Sequence, residues 1–290
     1  MAKAGVRDIK RRIRAVTSTQ QITRAMKMVA AAKLRRAQVK VEAARPYARS
    51  LNELLYRLVS IQTRGSSLHP FLEERKVEKV GYLVVTGDRG LCGSYNINVL
   101  RLASQTISSS PNQVQVAAVG KKGRDFFLRR GRELLFAELG LEEPDFSQAA
   151  WIARRLVDYF LDGTLDEVSV VYTKFISALQ QVPTVKRLFP LRVPAGAEDK
   201  GRVTSEYIFE PSVSEVVDRL LPRYVETQVY HALLESKASE HAARMTAMGA
   251  ATDNAAEMIE SLTLQFNRAR QASITKEIAE IVGGAEALRT

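Results

Sequence analysis

No proline follows Pro222, and along Arg223–Thr290 the residues Met245, Met248, Thr252, Ala255, Ile259, Leu262, Phe266 and Ala269 alternate three and four positions apart. That is the seam spacing of a coiled coil. As one helix the stretch would extend about 100 Å, and a seam of that length must lie against something comparable. The chain offers one match. From Ile9 the same rhythm gives Ile13, Val16, Gln20, Thr23, Lys27, Ala30, Leu34, Ala37, Val41, Ala44, Ala48, Leu51, Leu55 and Leu58. The two ends of the chain are therefore expected to pair antiparallel, since each would otherwise expose an apolar stripe. Gln20, Thr23 and Lys27 interrupt the apolar seam, so the seam is wet there or that face meets another protein.

Between the two helices lies an inserted domain. Val80–Thr86 reads as a buried strand, followed by a glycine turn and a helix to about Thr106; Val114–Val119 is a second strand, leading into a helix with Phe126, Phe127 and Leu128. A helix over Phe146–Leu161 precedes a third strand, Val168–Phe175, and edge strands are expected at Leu191–Val193 and Tyr207–Phe209. Alternating strands and helices imply a mostly parallel sheet with helices on its faces. Ser212 is placed to cap the last helix. Pro46 falls inside the first helix, where it either kinks the helix or is absorbed. The expected division is 1–62 for the N-terminal helix, 63–211 for the α/β domain and 212–290 for the C-terminal helix, an α+β chain overall.

Composition narrows the function. No run approaches 18 apolar residues, so no helix is expected to span a bilayer. Nor does the N-terminus lead into the apolar core of a signal peptide. A single cysteine, Cys92, excludes an intramolecular disulfide and fits a reducing compartment. The net charge of +11 is concentrated: residues 1–49 carry fourteen Lys and Arg against Asp8 and Glu42. A basic helix suits nucleic acid or acidic protein loops, although base-stacking aromatics and recognition-helix motifs are missing here.

The candidate chemical motifs are weak. Gly87, Gly90 and Gly93 follow a strand, but their spacing is neither GxGxxG nor a P-loop. Gly120-Lys121-Lys122-Gly123 reads as a second turn of the same kind. His69, His231 and His241 lack metal-ligand spacing. Cys92 has no base beside it and reads as a small buried hydrophobe. Asp88-Arg89 is expected to form a local salt bridge. No catalytic, cofactor-binding or metal-binding set assembles from these residues.

Several stretches together carry a resemblance. They are Ile9–Ile13, Thr19–Leu34 with its Thr-Gln-Gln-Ile-Thr-Arg-Ala-Met-Lys run, the Asp88–Gly93 turn, Lys174–Ala178, Glu240–Met245, Ala250–Ala255 and Phe266–Ile278. In these the chain resembles the gamma subunit of the F-type ATP synthase. The resemblance implies a rotor shaft that couples proton flow to ATP synthesis, turning inside a ring of alpha and beta subunits that hold the nucleotide sites. It implies a Rossmann-like α/β domain without nucleotide or other cofactor, set against the epsilon subunit and the membrane c-ring. Met26, Lys33, Arg244, Arg268, Gln271 and Thr275 match positions near the catch and lever loops of the beta subunit. The helix end from Ile274 to Leu288 is expected to sit as a bearing tip. With one cysteine the chain matches the bacterial type, which implies a peripheral place on the cytoplasmic face of the plasma membrane. Gly87 stands where the family usually has Ser, and is expected to loosen the turn. The reading from another class is a basic coiled-coil nucleic-acid-binding or scaffold protein.

Overall fold

The alanine-rich seams close where their spacing places them. In the computed structural model, which describes residues 2–62, 71, 75–191, 210 and 212–287, helix α1 (Ala2–Gln62) runs through Pro46 without interruption. Every seam position with a described side chain is buried or half-buried, except Lys27. Helix α5 (Val213–Ala287) begins at Ser212, whose hydroxyl accepts the Glu215 N–H at 3.2 Å, and its seam from Met245 to Ala269 is likewise buried or half-buried. Two compact units result: Met1–Ala30 with Arg244–Thr290, and Ala31–Ala243.

In the first unit α1 and α5 pair antiparallel. Thr23 meets Thr252 across the seam at 2.9 Å, and the Lys27 stem lies over Gly249. The Thr252 hydroxyl also sits 2.7 Å from the Met248 carbonyl, and gives its single proton to one of these two acceptors. The polar positions are thus partly absorbed inside the pair.

The second unit holds the sheet: β1 (Lys79–Val85), β2 (Gln113–Val119), β3 (Leu134–Glu138), β4 (Glu167–Phe175) and β5 (Gln181–Phe189) in the order β3-β2-β1-β4-β5. The first four strands are parallel and β5 runs antiparallel to β4. Strand alternation splits the core between two faces. Val80, Tyr82 and Val84 pack with Val99 and Ala103 of α2 (Tyr95–Ser109) and Phe127 of α3 (Lys121–Leu128). Leu83 and Val85 pack with Ile152 and Leu156 of α4 (Phe146–Leu161) and with Val225, Val229 and Leu233 of α5. Phe71, Phe160 and Phe189 complete that core with ring centroids 5.1–5.9 Å apart. Each such buried side chain contributes about 1.5–3 kcal/mol.

Two strands escape the sequence reading. β3 is short, with the sequence LLFAE, and β5 carries Pro183 and the adjacent cations Lys186 and Arg187 in QVPTVKRLF, a pattern that looks like a loop. The edge strands expected at 191–193 and 207–209 lie outside the described residues apart from Leu191, which is in no strand. Within this unit α1 and α5 again run antiparallel. Asn52 reaches Gln228 at 3.5 Å, Ala44 and Tyr47 flank Thr227 and His231, and Lys33 and Lys40 flank Leu234 and His241.

Candidate functional site

The candidate contact residues divide between exposed and half-buried positions and between the two units. Arg268, Gln271 and Thr275 are exposed and follow one another at steps of three and four, on the side of α5 away from its seam. Met26 and Arg244 belong to the same unit and are half-buried. Further along α5, Ile274, Ile278, Ile281 and Val282 are exposed, Ile281 at 71%. Lys33 falls in the other unit, where its amino group stands 3.8 Å from Glu142.

Around Lys33 an ion-pair network ties α1 to the loop before α4. Glu142 also takes Arg89 at 3.0 Å, and Glu143 takes Lys40 at 3.1 Å and Arg36 at 4.0 Å. The Lys40 hydrogen bond, with the charges of Lys40, Arg36 and Lys33, holds the Glu143 carboxyl below the usual carboxylate range. These groups are well exposed, so each pair stabilises the fold little. Four cations on two carboxylates leave the patch positive. The sequence signal for it is the acidic pair Glu142-Glu143 ahead of Pro144, which the sequence reading did not single out.

The glycine turns are held by side chains of the chain itself. Asp88 does not pair with Arg89. Its carboxylate accepts the Lys121 N–H at 2.8 Å and the Gly140 N–H at 3.1 Å, joining the turns after β1, β2 and β3. A carboxylate at the first turn of α3 also meets the positive end of that helix. The Thr86 hydroxyl accepts the Gly123 N–H at 2.8 Å and donates to the Val119 carbonyl. Asn96 accepts the Gly87 N–H at 2.9 Å and donates to the Arg89 carbonyl, while Gly87 O accepts from Lys122. The turn at Gly87 is therefore tight rather than loose. Cys92 is buried beside the Asn96 amide. Asp88→Ala is expected to lower stability by about 2 kcal/mol, two charge-assisted hydrogen bonds being lost, read as a lower urea midpoint of the purified chain.

One polar layer lies under α5. The Glu235 carboxylate is bonded by the Tyr172 hydroxyl, and its Oε2 is buried without a further partner. Burial raises its pKa, against the pull of Lys174, Arg45, the Tyr172 bond and Lys186. His231 Nδ1 is 3.6 Å from Glu235 Oε1. Burial, and then the cations Lys186, Arg45 and Lys174, depress the imidazole to about 4, so at neutral pH this contact is not an ion pair. Among the described residues no cluster of His, Cys, Asp and Glu could hold a metal ion, and no helix is long and apolar enough to cross a membrane.

Long terminal helices that pair antiparallel, with a mostly parallel α/β sheet inserted between them in sequence, set the class of fold. Comparison with known proteins gives the family. A family model described as ATP synthase matches residues 5–288. The ATP synthase gamma chain of Desulfitobacterium hafniense is 55% identical, covering 98% of this chain and 99% of that one. That of Moorella thermoacetica is 54% identical over 99% and 100%. The chain belongs to the ATP synthase gamma-chain family. Among solved structures, a central stalk and c-ring structure of the Tetrahymena thermophila mitochondrial ATP synthase is 26% identical, with a TM-score of 0.63 over 79% of this chain and 99% of that chain. A Euglena gracilis rotor chain at 19% identity shares the fold, with a TM-score of 0.68 over 94% and 99%. The chain is a non-catalytic, membrane-peripheral subunit of the central stalk, the catalytic sites lying in the beta subunits. Nothing in these comparisons supports the nucleic-acid reading.

Proposed function

We propose that the helical pair meets the beta subunits through Met26, Lys33, Arg244, Arg268, Gln271 and Thr275 as the chain turns inside the alpha–beta ring. Its work is to couple proton flow through the membrane sector to ATP synthesis and hydrolysis. Alpha and beta subunits surround the pair, and epsilon and the c-ring meet the α/β domain. The observation that carries this is the exposed row Arg268, Gln271, Thr275, polar side chains held outward by a buried seam. A rotating contact needs attraction that is not tied to one geometry, and a basic surface moving past acidic loops supplies it. Lys33 keeps its charge available because Glu142 is shared with Arg89. The working division is 1–62, 63–211 and 212–290, and the working location is the cytoplasmic face of the bacterial plasma membrane.

Arg244→Ala and Gln271→Ala in the assembled complex test the reading. Each is expected to lower ATP turnover or assembly by an amount equivalent to about 1–3 kcal/mol at the interface, while the purified chain stays folded, read by its far-UV spectrum. Unchanged turnover and assembly in both variants would remove these residues from the contact.

A further inference from the structure

The strand order reverses between β1 and β4. In an open α/β sheet that reversal leaves a crevice beyond the carboxyl ends of the two strands, the usual seat of a ligand. Here the β1–β4 ladder stops at Val84–Val171, and β1 then turns toward β2, the Thr86 N–H bonding the Val119 carbonyl. Thr173, two residues further along β4, has no β1 partner for its peptide group. Helix α5 supplies one. The Thr173 N–H donates to Ser236 Oγ at 3.4 Å, and Ser239 Oγ donates to the Thr173 carbonyl at 3.2 Å. One turn on, the Glu240 carboxylate rests over Gly87. A Cβ at that glycine would stand 3.0 Å from the carboxylate carbon and 3.1–3.2 Å from its oxygens. Lys237 reaches Glu240 Oε2 at 3.0 Å. Ser236, Ser239 and Glu240 are all buried.

We propose that the ligand crevice of this sheet is the permanent seat of α5, and that Ser236, Ser239 and Glu240 are positioning residues by which the α/β unit grips that helix against torque. The inference rests on the rotor reading above. Apolar helix faces tolerate rolling and small slips, because many registers bury similar area. Two hydroxyls bonded to the peptide of one strand residue, with a carboxylate packed closely over Gly87, fix both the rotation and the height of the helix. Leaving the Thr173 peptide buried and unbonded is costly, so the grip opposes displacement in either direction.

The test uses the complete ATP synthase in sealed vesicles, carrying Ser236→Ala with Ser239→Ala, or Glu240→Gln. ATP hydrolysis is expected to stay within about twofold of wild type, while protons pumped per ATP fall at least about threefold, the scale set by losing buried hydrogen bonds of ordinary strength. A role confined to folding or assembly would lower both rates together, and an unchanged ratio overturns the proposal whether or not the rates fall. Thr173→Cys with Ser236→Cys gives an independent arm. Once the two thiols are oxidised to a disulfide, pumping should be retained, because the joint does not move in the cycle. Pumping that stops on oxidation and returns on reduction overturns the proposal. If the wild-type chain itself supported no pumping in these vesicles, the rotor reading would fall instead.

Discussion

Replacing Gly120 by alanine is expected to cost about 4 kcal/mol, enough to abolish most of the stability of an ordinary domain. Gly120 holds φ 90° and ψ 144°, a conformation that is nearly confined to glycine. An added Cβ would lie 2.3 Å from the Thr86 carbonyl oxygen and 2.8 Å from its Oγ1. Neither neighbour has room to yield. Thr86 is bonded to Val119 and Gly123, and the Gly120 N–H is itself bonded to the Glu138 carbonyl at 2.8 Å. Urea denaturation of the purified chain, followed by Trp151 fluorescence, should show the midpoint collapse. A shift no larger than that of Asp88→Ala would mean that the turns after β1 and β2 repack freely.

Acidification should weaken the fold through His231. Its folded pKa of about 4 lies below the 6.5 of an unperturbed imidazole, and its side chain is 22% exposed. The unfolded chain therefore takes up a proton as pH falls through 6.5, while the folded chain does not until about 4. The stabilisation is complete above 6.5 and drains away across that window, by about 3 kcal/mol in all. Glu235 works the other way. Its raised carboxyl is protonated in the folded chain first, which favours folding on acidification until the unfolded carboxyl also protonates. In His231→Gln the Glu235 contribution stands alone. The variant should lose less stability than wild type between pH 7 and 5, compared through urea midpoints at each pH. Parallel pH profiles would show that the imidazole is not the group responsible.

The helical ends were open to sequence reading because a seam is a periodic signal, and period is what side-chain burial selects. Val41, Leu51, Leu55, Met248 and Ala255 are buried where the spacing puts them. The signal fails in the part of α5 from Val225 to Ala242. There the helix is packed by α1 on one side and the sheet on the other, so Glu226, Thr227, Gln228, Ser236 and Ser239 are buried beside Val229 and Leu233. The seam spacing begins at Met245 and assigns those polar residues no place. Their hydrogen-bond partners, such as Thr173 and Asn52, are distant in sequence. Asp88 shows the same limit. The sequence offers Arg89 as its nearest charge, whereas the folded chain offers two backbone N–H groups, and these take the carboxylate. The candidate contact residues came from family resemblance alone, since exposed polar residues on a helix carry no pattern of their own.

Strand β5 borders no further strand among the described residues, and such an edge is a template for another copy of the same chain. Thr173 pairs in register with Pro183 yet directs its own peptide group toward α5, so the missing N–H of Pro183 falls on the outer side of β5. An incoming strand would meet a broken row of donors, flanked by Lys186 and Arg187. The valines of this edge, Val182 and Val185, stay exposed, yet the broken donor row and the adjacent charges oppose pairing with a second chain.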